Sequence, residues 1–138
     1  VYSGQCAEFC GTAHAHMRFS VVAETKEEFD AWVKAQQKAA VPATGGAARG
    51  AQVFATSSCV ACHTIEGTPG VGRIGPNLTH FGSRSSLAAG ALENDASGAN
   101  LSLWLHDPQA VKPGAKMPSS NLTEEQISAL VEYLESLK

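Results

Sequence analysis

The sequence lacks any run of 18 or more apolar residues, so we expect no segment of it to cross a bilayer. It also lacks a basic excess, because ten Lys and Arg against thirteen Asp and Glu give a net charge of −3, which argues against a nucleic-acid partner. No signal peptide is recognisable, and the start at Val1 instead of Met suggests a processed or truncated piece. The 138 residues suffice for one globular domain, with 43% hydrophobic residues and 7% aromatics.

Cysteine is scarce, and the four cysteines fall into two pairs. The second pair lies in Cys59-Val60-Ala61-Cys62-His63, which is the C-x-x-C-H pattern of covalent c-type haem attachment. Two thiols three residues apart on a helical turn can reach the two vinyl groups of one porphyrin, and His63 can then face the iron. The alternatives are a redox dithiol or half of a zinc site. A zinc site needs a second ligand pair, and no later cysteine exists.

Methionine is scarcer still, and Met117 is one of only two. It lies near the end of Lys112-Pro113-Gly114-Ala115-Lys116-Met117-Pro118, where Pro and Gly favour an extended loop over a helix. Such a loop can present the thioether to an iron that His63 binds from the other side, and a soft sulfur ligand raises the reduction potential. The alternative is that Met117 fills a gap in the core.

These motifs, in this order, resemble a class I monohaem cytochrome c over residues from about Ala48 to Lys138. The resemblance rests on the haem-attachment pentapeptide, on three further stretches and on a closing helix; the stretches are Arg73-Ile74-Gly75-Pro76-Asn77-Leu78, Trp104-Leu105-His106-Asp107-Pro108 and Met117-Pro118. It implies a mostly α fold in which helices surround one covalently bound haem c.

The resemblance also implies roles for individual residues around the haem. Cys59 and Cys62 hold the porphyrin, and His63 and Met117 are the iron ligands. The Pro76 carbonyl accepts a hydrogen bond from His63, which orients the imidazole.

Arg73 and Trp104 are expected near the haem propionates. The alternatives are that Arg73 is a surface residue and that Trp104 belongs to the core.

Two helices of this part can be predicted without the resemblance. Thr123 and Gln126 form a capping box at the start of the closing helix. Apolar residues then recur at steps of three and four and predict one buried face: Ile127, Leu130, Val131, Leu134 and Leu137. Near the beginning of the domain, Gly50 could let this closing helix approach the first one, with Tyr133 packed nearby.

The first residues carry a second set of metal donors in the pattern C-x-E-x-C-x-x-x-H-x-x-M, and these donors are Cys6, Glu8, Cys10, His14 and Met17. Thiolate, imidazole and thioether together suit copper better than calcium or magnesium. The pattern resembles the binuclear copper loop of subunit II of haem-copper oxidases. That family implies that Glu8 binds through its backbone carbonyl.

The same resemblance suggests that the copper site is incomplete in this chain. The family's second histidine ligand lies well upstream of the first cysteine, and this chain begins shortly before Cys6. We therefore expect copper only in a full-length protein. The alternative is that Cys6 and Cys10 are free or joined in a disulfide.

Residues 1–40 are predicted to be the end of a cupredoxin domain, 41–47 a linker, and 48–138 the cytochrome domain. A strand is expected over Arg18–Glu24, followed by a helix that Thr25 and Glu28 cap and that fades near Ala40. Forty residues cannot bury a separate core, so the apolar face of Phe29 and Trp32 should dock on the cytochrome domain or remain exposed.

Residues 83–100 are rich in Ser, Ala, Gly and Asn. Leu87 and Leu92 suggest a short helix or a loop over the haem edge, and residues 94–98 suggest a turn.

A copper loop followed by a cytochrome c domain resembles subunit II of caa-type cytochrome c oxidases. The resemblance implies that electrons pass from an external donor, such as another cytochrome or a small redox protein, to the haem, then to the copper, then to the oxygen-reducing catalytic subunit. The chain would thus act in an enzyme only as part of a complex. It would lie on the outer, periplasmic side of the bacterial cytoplasmic membrane, anchored through N-terminal helices outside this sequence.

Three alternatives remain open from the sequence. The first is a freely diffusing class I cytochrome c with an N-terminal extension. The second is a copper-handling protein that uses the first pair of cysteines. The third is a haem-based sensor or peroxidase, which needs an open sixth position on the iron.

Overall fold

The computed structural model describes all residues from 1 to 138. The chain forms two antiparallel two-stranded sheets, six α-helices and two short 3-10 helices, His14–His16 and Phe81–Ser83. The strands are β1 (Tyr2–Gln5), β2 (Arg18–Val21), β3 (Ser86–Leu87) and β4 (Leu92–Glu93). The helices are α1 (Lys26–Gln36), α2 (Ala47–Thr56), α3 (Cys59–Cys62), α4 (Ala99–His106), α5 (Pro108–Val111) and α6 (Glu124–Ser136). No helix of the chain combines the length and the apolar character that a membrane span requires.

The core lies between α2 and α6, with α4 packed against α6. It consists of thirteen buried residues, most of them aliphatic: Ala47, Phe54, Ile65, Leu78, Phe81, Leu87, Leu101, Leu105, Ile127, Leu130, Tyr133, Leu134 and Leu137. The predicted start of α6 is confirmed, because Gln126 N donates to Thr123 Oγ1 and Thr123 N donates to the Gln126 side chain. The apolar residues that recur at steps of three and four along α6 face the core, as expected from the sequence.

At Gly50 the backbones of α2 and α6 approach each other closely. A Cβ atom at this position would overlap the carbonyl oxygen of Ala129 and lie 2.5 Å from Tyr133 Cβ. One turn further along α2, the rings of Phe54 and Tyr133 pack with their centroids 6.2 Å apart. The predicted role of Gly50 in helix packing is confirmed.

The N-terminal segment is a hairpin, not a single strand. β2 pairs with β1 from Gln5↔Arg18 to Tyr2↔Val21. The predicted strand over Arg18–Glu24 is therefore too long, because β1 provides pairing partners only as far as Val21. β1 itself, with Gly4 in a short polar stretch, carries no alternating apolar pattern that could have predicted it.

Helix α1 begins as predicted, with the reciprocal capping box between Thr25 and Glu28. It ends at Gln36 and not near Ala40, because the next residues bond to the cytochrome domain. Ala40 N donates to Glu66 O at 3.2 Å, and His80 Nε2 donates to Lys38 O at 3.0 Å. Two competing tertiary hydrogen bonds thus replace the last turn of the predicted helix.

The apolar face of α1 remains exposed rather than docking. Phe29 and Trp32 are each half exposed, and their rings stack with centroids 5.9 Å apart.

The prediction of a short helix or loop around Leu87 and Leu92 is wrong, since these residues pair in the β3–β4 hairpin. Its turn places Ala88, Ala89 and Gly90 at φ of 55°, 58° and 73°. Alanine rarely adopts this left-handed region, so the two alanines in the sequence did not indicate a turn here.

The turn predicted at residues 94–98 is present. In it, Ser97 N donates to Asp95 Oδ1 at 3.0 Å.

Candidate functional site

Helix α3 is a single turn that brings Cys59 and Cys62 to the same side of the chain. Both cysteines are half-buried and free, and Cys59 packs against the core. His63 leaves the helix in an extended conformation, while its amide still donates to Cys59 O at 2.9 Å. The three residues therefore form a rigid unit with two unpaired thiols and an adjacent imidazole.

The imidazole of His63 is fixed by Pro76. Nδ1 lies 2.8 Å from the Pro76 carbonyl oxygen. Because a carbonyl can only accept, Nδ1 carries the proton, and Nε2 is left as the free basic nitrogen. Gly75 lies against the ring, since a Cβ there would be 2.5 Å from His63 Cε1. The ring thus has one tautomer and one orientation, which is the arrangement that a metal-binding histidine needs.

The loop between His63 and Pro76 folds tightly back on α3. Gly75 N donates to Cys62 O at 2.7 Å, and Gly72 N donates to His63 O at 3.2 Å. A Cβ at Gly72 would lie 2.5 Å from the carbonyl carbon of Cys62, so only glycine permits this approach. The fold of this loop is what places the Pro76 carbonyl within reach of the imidazole.

The two predicted propionate contacts differ in their setting. Trp104, on α4, is half-buried against the core. Arg73 is exposed, and the structure brings it to no other predicted site residue. Sequence reasoning missed Arg84, whose guanidinium donates to Asn77 O and lies 5.9 Å from the centroid of the Phe81 ring. Arg84 therefore holds Asn77, the residue that follows Pro76. No sequence motif predicted this role.

Met117 is half-buried and packs against the core from an irregular loop. The side chain of Gln109 holds this loop, because its Nε2 donates to Ala115 O at 2.6 Å and to Met117 O at 3.1 Å. Asp107 caps α5 by accepting hydrogen bonds from the amides of Gln109 and Ala110. Sequence reasoning missed Gln109, although the Asp-Pro start of α5 two residues earlier was a usable signal.

The predicted copper donors converge in the loop between β1 and β2. Cys10 Sγ lies 3.5 Å from Cys6 Sγ, 3.7 Å from His14 Nδ1 and 3.5 Å from Met17 Sδ. The Cys6 thiol lies 3.0 Å from the carbonyl oxygen of Glu8. The loop is closed by Cys6 N, which donates to Met17 O at 2.9 Å. The ligand atoms of Cys6, Cys10 and His14 therefore lie within 4.8 Å of one another, and Glu8 O and Met17 Sδ each lie beside one of the two sulfurs.

The pKa of the Cys10 thiol is raised, chiefly by its hydrogen bond with Cys6. Binding a cation there would release the thiol protons, because a thiolate is the metal ligand. Two thiols, an imidazole, a thioether and a carbonyl form a donor set that fits copper.

Known proteins resemble this chain in its cytochrome c part and over its whole length. The family model for cytochrome c matches residues 47–138. Over its whole length the chain is 44% identical to cytochrome c oxidase subunit 2 of Bacillus sp. (strain PS3), 42% identical to that of Alkalihalophilus pseudofirmus and 35% identical to that of Bacillus subtilis. In each case the match covers 100% of this chain and 40% of the relative, so the chain spans well under half the length of these proteins.

These matches bear on the alternatives that the sequence left open. A free cytochrome with an unrelated N-terminal extension is not favoured, because the similarity to oxidase subunit 2 includes the first 46 residues. The predicted fold class, a mostly α class I cytochrome c fold, is confirmed.

A cytochrome c domain implies one covalently bound haem c. The residues present fit this group: two free thiols at the required spacing, an imidazole whose Nε2 is unengaged, and a thioether on a tethered loop. The chain belongs to the cytochrome c family.

Proposed function

We propose that this chain is the electron-accepting part of subunit 2 of a membrane-bound cytochrome c oxidase. The observation that carries the proposal is the convergence of Cys6, Cys10, His14 and Met17 beside a complete cytochrome c domain. Residues 1–40 then belong to a copper-binding cupredoxin domain, 41–47 are the linker, and 48–138 are the cytochrome domain. The similarity to cytochrome c oxidase subunit 2 over the whole chain supports the assignment to an oxidase subunit.

The haem is held by four side chains in this proposal. Cys59 and Cys62 would form the thioether bonds to the porphyrin, and His63, through Nε2, and Met117, through Sδ, would hold the iron. The bound haem supplies a one-electron carrier that alternates between ferric and ferrous iron. The hydrogen bond from His63 to Pro76 keeps the imidazole basic and fixed, so that the ligand does not rearrange when the charge changes.

Arg73 and Trp104 are proposed to contact the haem propionates. Arg73 is exposed and Trp104 is half-buried, so the guanidinium and the indole N–H are available as donors to a haem carboxylate.

Copper is proposed for the complete subunit. The thiolates of Cys6 and Cys10 would hold the copper, and His14, Met17 and the Glu8 carbonyl would be further ligands. The short distances from Cys10 to its neighbours support this assignment, because the donors need little rearrangement.

The partners follow from the same proposal. An external donor, another cytochrome or a small redox protein, would dock where Val71 and Ile74 are 72% and 86% exposed beside Cys62. The copper would pass electrons to the catalytic subunit of the oxidase, where oxygen is reduced, and this chain would make or break no substrate bond. Covalent haem attachment and the family resemblance support a position on the outer, periplasmic side of the bacterial cytoplasmic membrane, anchored through N-terminal helices.

Visible spectroscopy of the haem-loaded chain tests the proposal. We expect a sharp reduced α-band, a weak far-red methionine–iron band and no binding of carbon monoxide to the native protein. Met117→Leu should abolish the far-red band. Met17→Leu, a matched change of the other methionine, should preserve that band in this chain and weaken copper binding in the complete subunit. High-spin iron or ready carbon monoxide binding in the unaltered chain would favour a sensor or peroxidase instead.

A further inference from the structure

The turn of the β3–β4 hairpin is strained, and its carbonyl groups are engaged by two distant segments. Ala88 and Ala89 both have left-handed φ values, which are unfavourable for a residue with a Cβ atom. The conformation directs Ala88 O to the ammonium of Lys112 at 2.9 Å and Ala89 O to the backbone amide of Arg18 at 2.9 Å. Strain of this kind persists where surrounding contacts enforce it, and here one of these contacts comes from the copper-loop hairpin.

The bond from Arg18 is a contact between the two parts of the chain. Cys6 N donates to Met17 O, so Cys6 and Met17 form a hydrogen-bonded pair between the two arms of the hairpin. In an antiparallel pair the next amide, that of Arg18, points away from β1. Its partner is Ala89 O of the cytochrome domain.

A second contact involves the loop that leads to Met117. Gly114, at φ +82°, lies directly against Thr12, because a Cβ on Gly114 would be 2.7 Å from Thr12 Cβ. In the same way, a Cβ on Gly90 would be 2.9 Å from Arg18 Cβ. Two glycines in separate loops of the cytochrome domain thus leave room for the copper loop.

We propose that the turn at 88–90 and the loop at 112–114 form a docking surface that holds the copper-loop segment, residues 10–18, against the face of the cytochrome domain that carries Met117. The inference rests on the proposed function for its meaning: the copper would exchange electrons with the haem through the Met117 side. The exposed Val71 and Ile74, beside Cys62, then stay free for the external donor.

Docking can be measured on the haem-loaded, copper-free, reduced chain of residues 1–138 by amide hydrogen exchange and NMR. We expect the Arg18 amide to exchange at least about tenfold more slowly than an unstructured amide, since its acceptor lies in the other domain. We also expect a nuclear Overhauser contact between the Thr12 methyl group and the Gly114 α-protons.

Three variants sharpen the measurement. Thr12→Trp overfills the contact with Gly114, and Gly90→Ala places a methyl group against Arg18, so each should return the Arg18 amide to nearly unprotected exchange. Thr12→Val, which keeps the shape of threonine, should leave the protection unchanged.

An Arg18 amide that exchanges at the unstructured rate in the unaltered chain, or that stays protected in both disruptive variants, overturns the docking surface. Neither measurement needs copper or a donor, so the result is independent of the spectroscopic test of the proposed function.

Discussion

The loop that carries Met117 is held by the side chain of Gln109, and Gln109→Ala should loosen it. The change removes two hydrogen bonds, to Ala115 O and to Met117 O. Each is worth about 0.5–1.5 kcal/mol net, and the exposure of Gln109 favours the lower end of that range. The closed loop should therefore lose about 1–1.5 kcal/mol, which raises the open population about tenfold.

Imidazole added to the oxidised, haem-loaded chain measures this opening. If Met117 is the iron ligand, imidazole can replace it only when the loop is open. The apparent dissociation constant varies inversely with the open population, so the variant should bind imidazole about tenfold more tightly. The far-red methionine–iron band should remain in the absence of imidazole, because the closed form still predominates.

Gln52→Ala provides the control, since Gln52 is an exposed glutamine of α2 whose side chain does not touch this loop. It should leave imidazole affinity unchanged. An unchanged affinity in Gln109→Ala, or an equal change in Gln52→Ala, would refute the reasoning that Gln109 acts on the ligand loop.

Three further outcomes follow from the fold. Gly50→Ala would gain about 1 kcal/mol of helix propensity, but the clash with Ala129 and Tyr133 costs more, so denaturant unfolding should show net destabilisation of about 1–2 kcal/mol; a more stable variant contradicts this. Thr123→Ala removes the cap of α6 and should cost about 1 kcal/mol by the same assay, with no change in the haem spectrum. Burial and the nearby Asp95 raise the pKa of Glu135, whose Oε1 is buried without a partner. Folding therefore favours protonated Glu135. The stability that this raised pKa contributes is fully present below the ordinary pKa of 4.5 and is lost as pH rises through the native pKa. Glu135→Gln should thus be more stable than the parent at pH 7, and that advantage should vanish at acid pH.

The sequence predicted the parts of both sites that short-range chemistry determines. The C-x-x-C-H spacing forces Cys59 and Cys62 onto one helical turn, as α3 shows. The capping boxes at Thr25 and Thr123 were readable because each one satisfies amides within four residues of itself. The spacing of Cys6, Cys10, His14 and Met17 likewise predicted a compact donor cluster, although their roles as ligands remain a proposal.

Contacts between distant segments account for the errors. Helix α1 stops at Gln36 because Lys38 and Ala40 bond to residues 80 and 66. The β3–β4 hairpin was missed because two alanines hold left-handed conformations that neighbouring segments stabilise. Gln109 and Arg84 have no motif of their own, since each acts on a carbonyl that only the folded chain brings within reach.

The sequence by itself thus indicated which residues are proposed to bind haem and copper, because ligand type and local spacing can be read along the chain. The tertiary structure alone decided how those residues are held: the Nδ1 proton of His63 is fixed by Pro76 from across a loop, and the Met117 loop is fastened by Gln109. It also decided where the two sites meet, since the contacts of Thr12 with Gly114 and of Arg18 with Ala89 join segments more than 70 residues apart. Such contacts depend on the packing of the whole chain, and no local pattern encodes them.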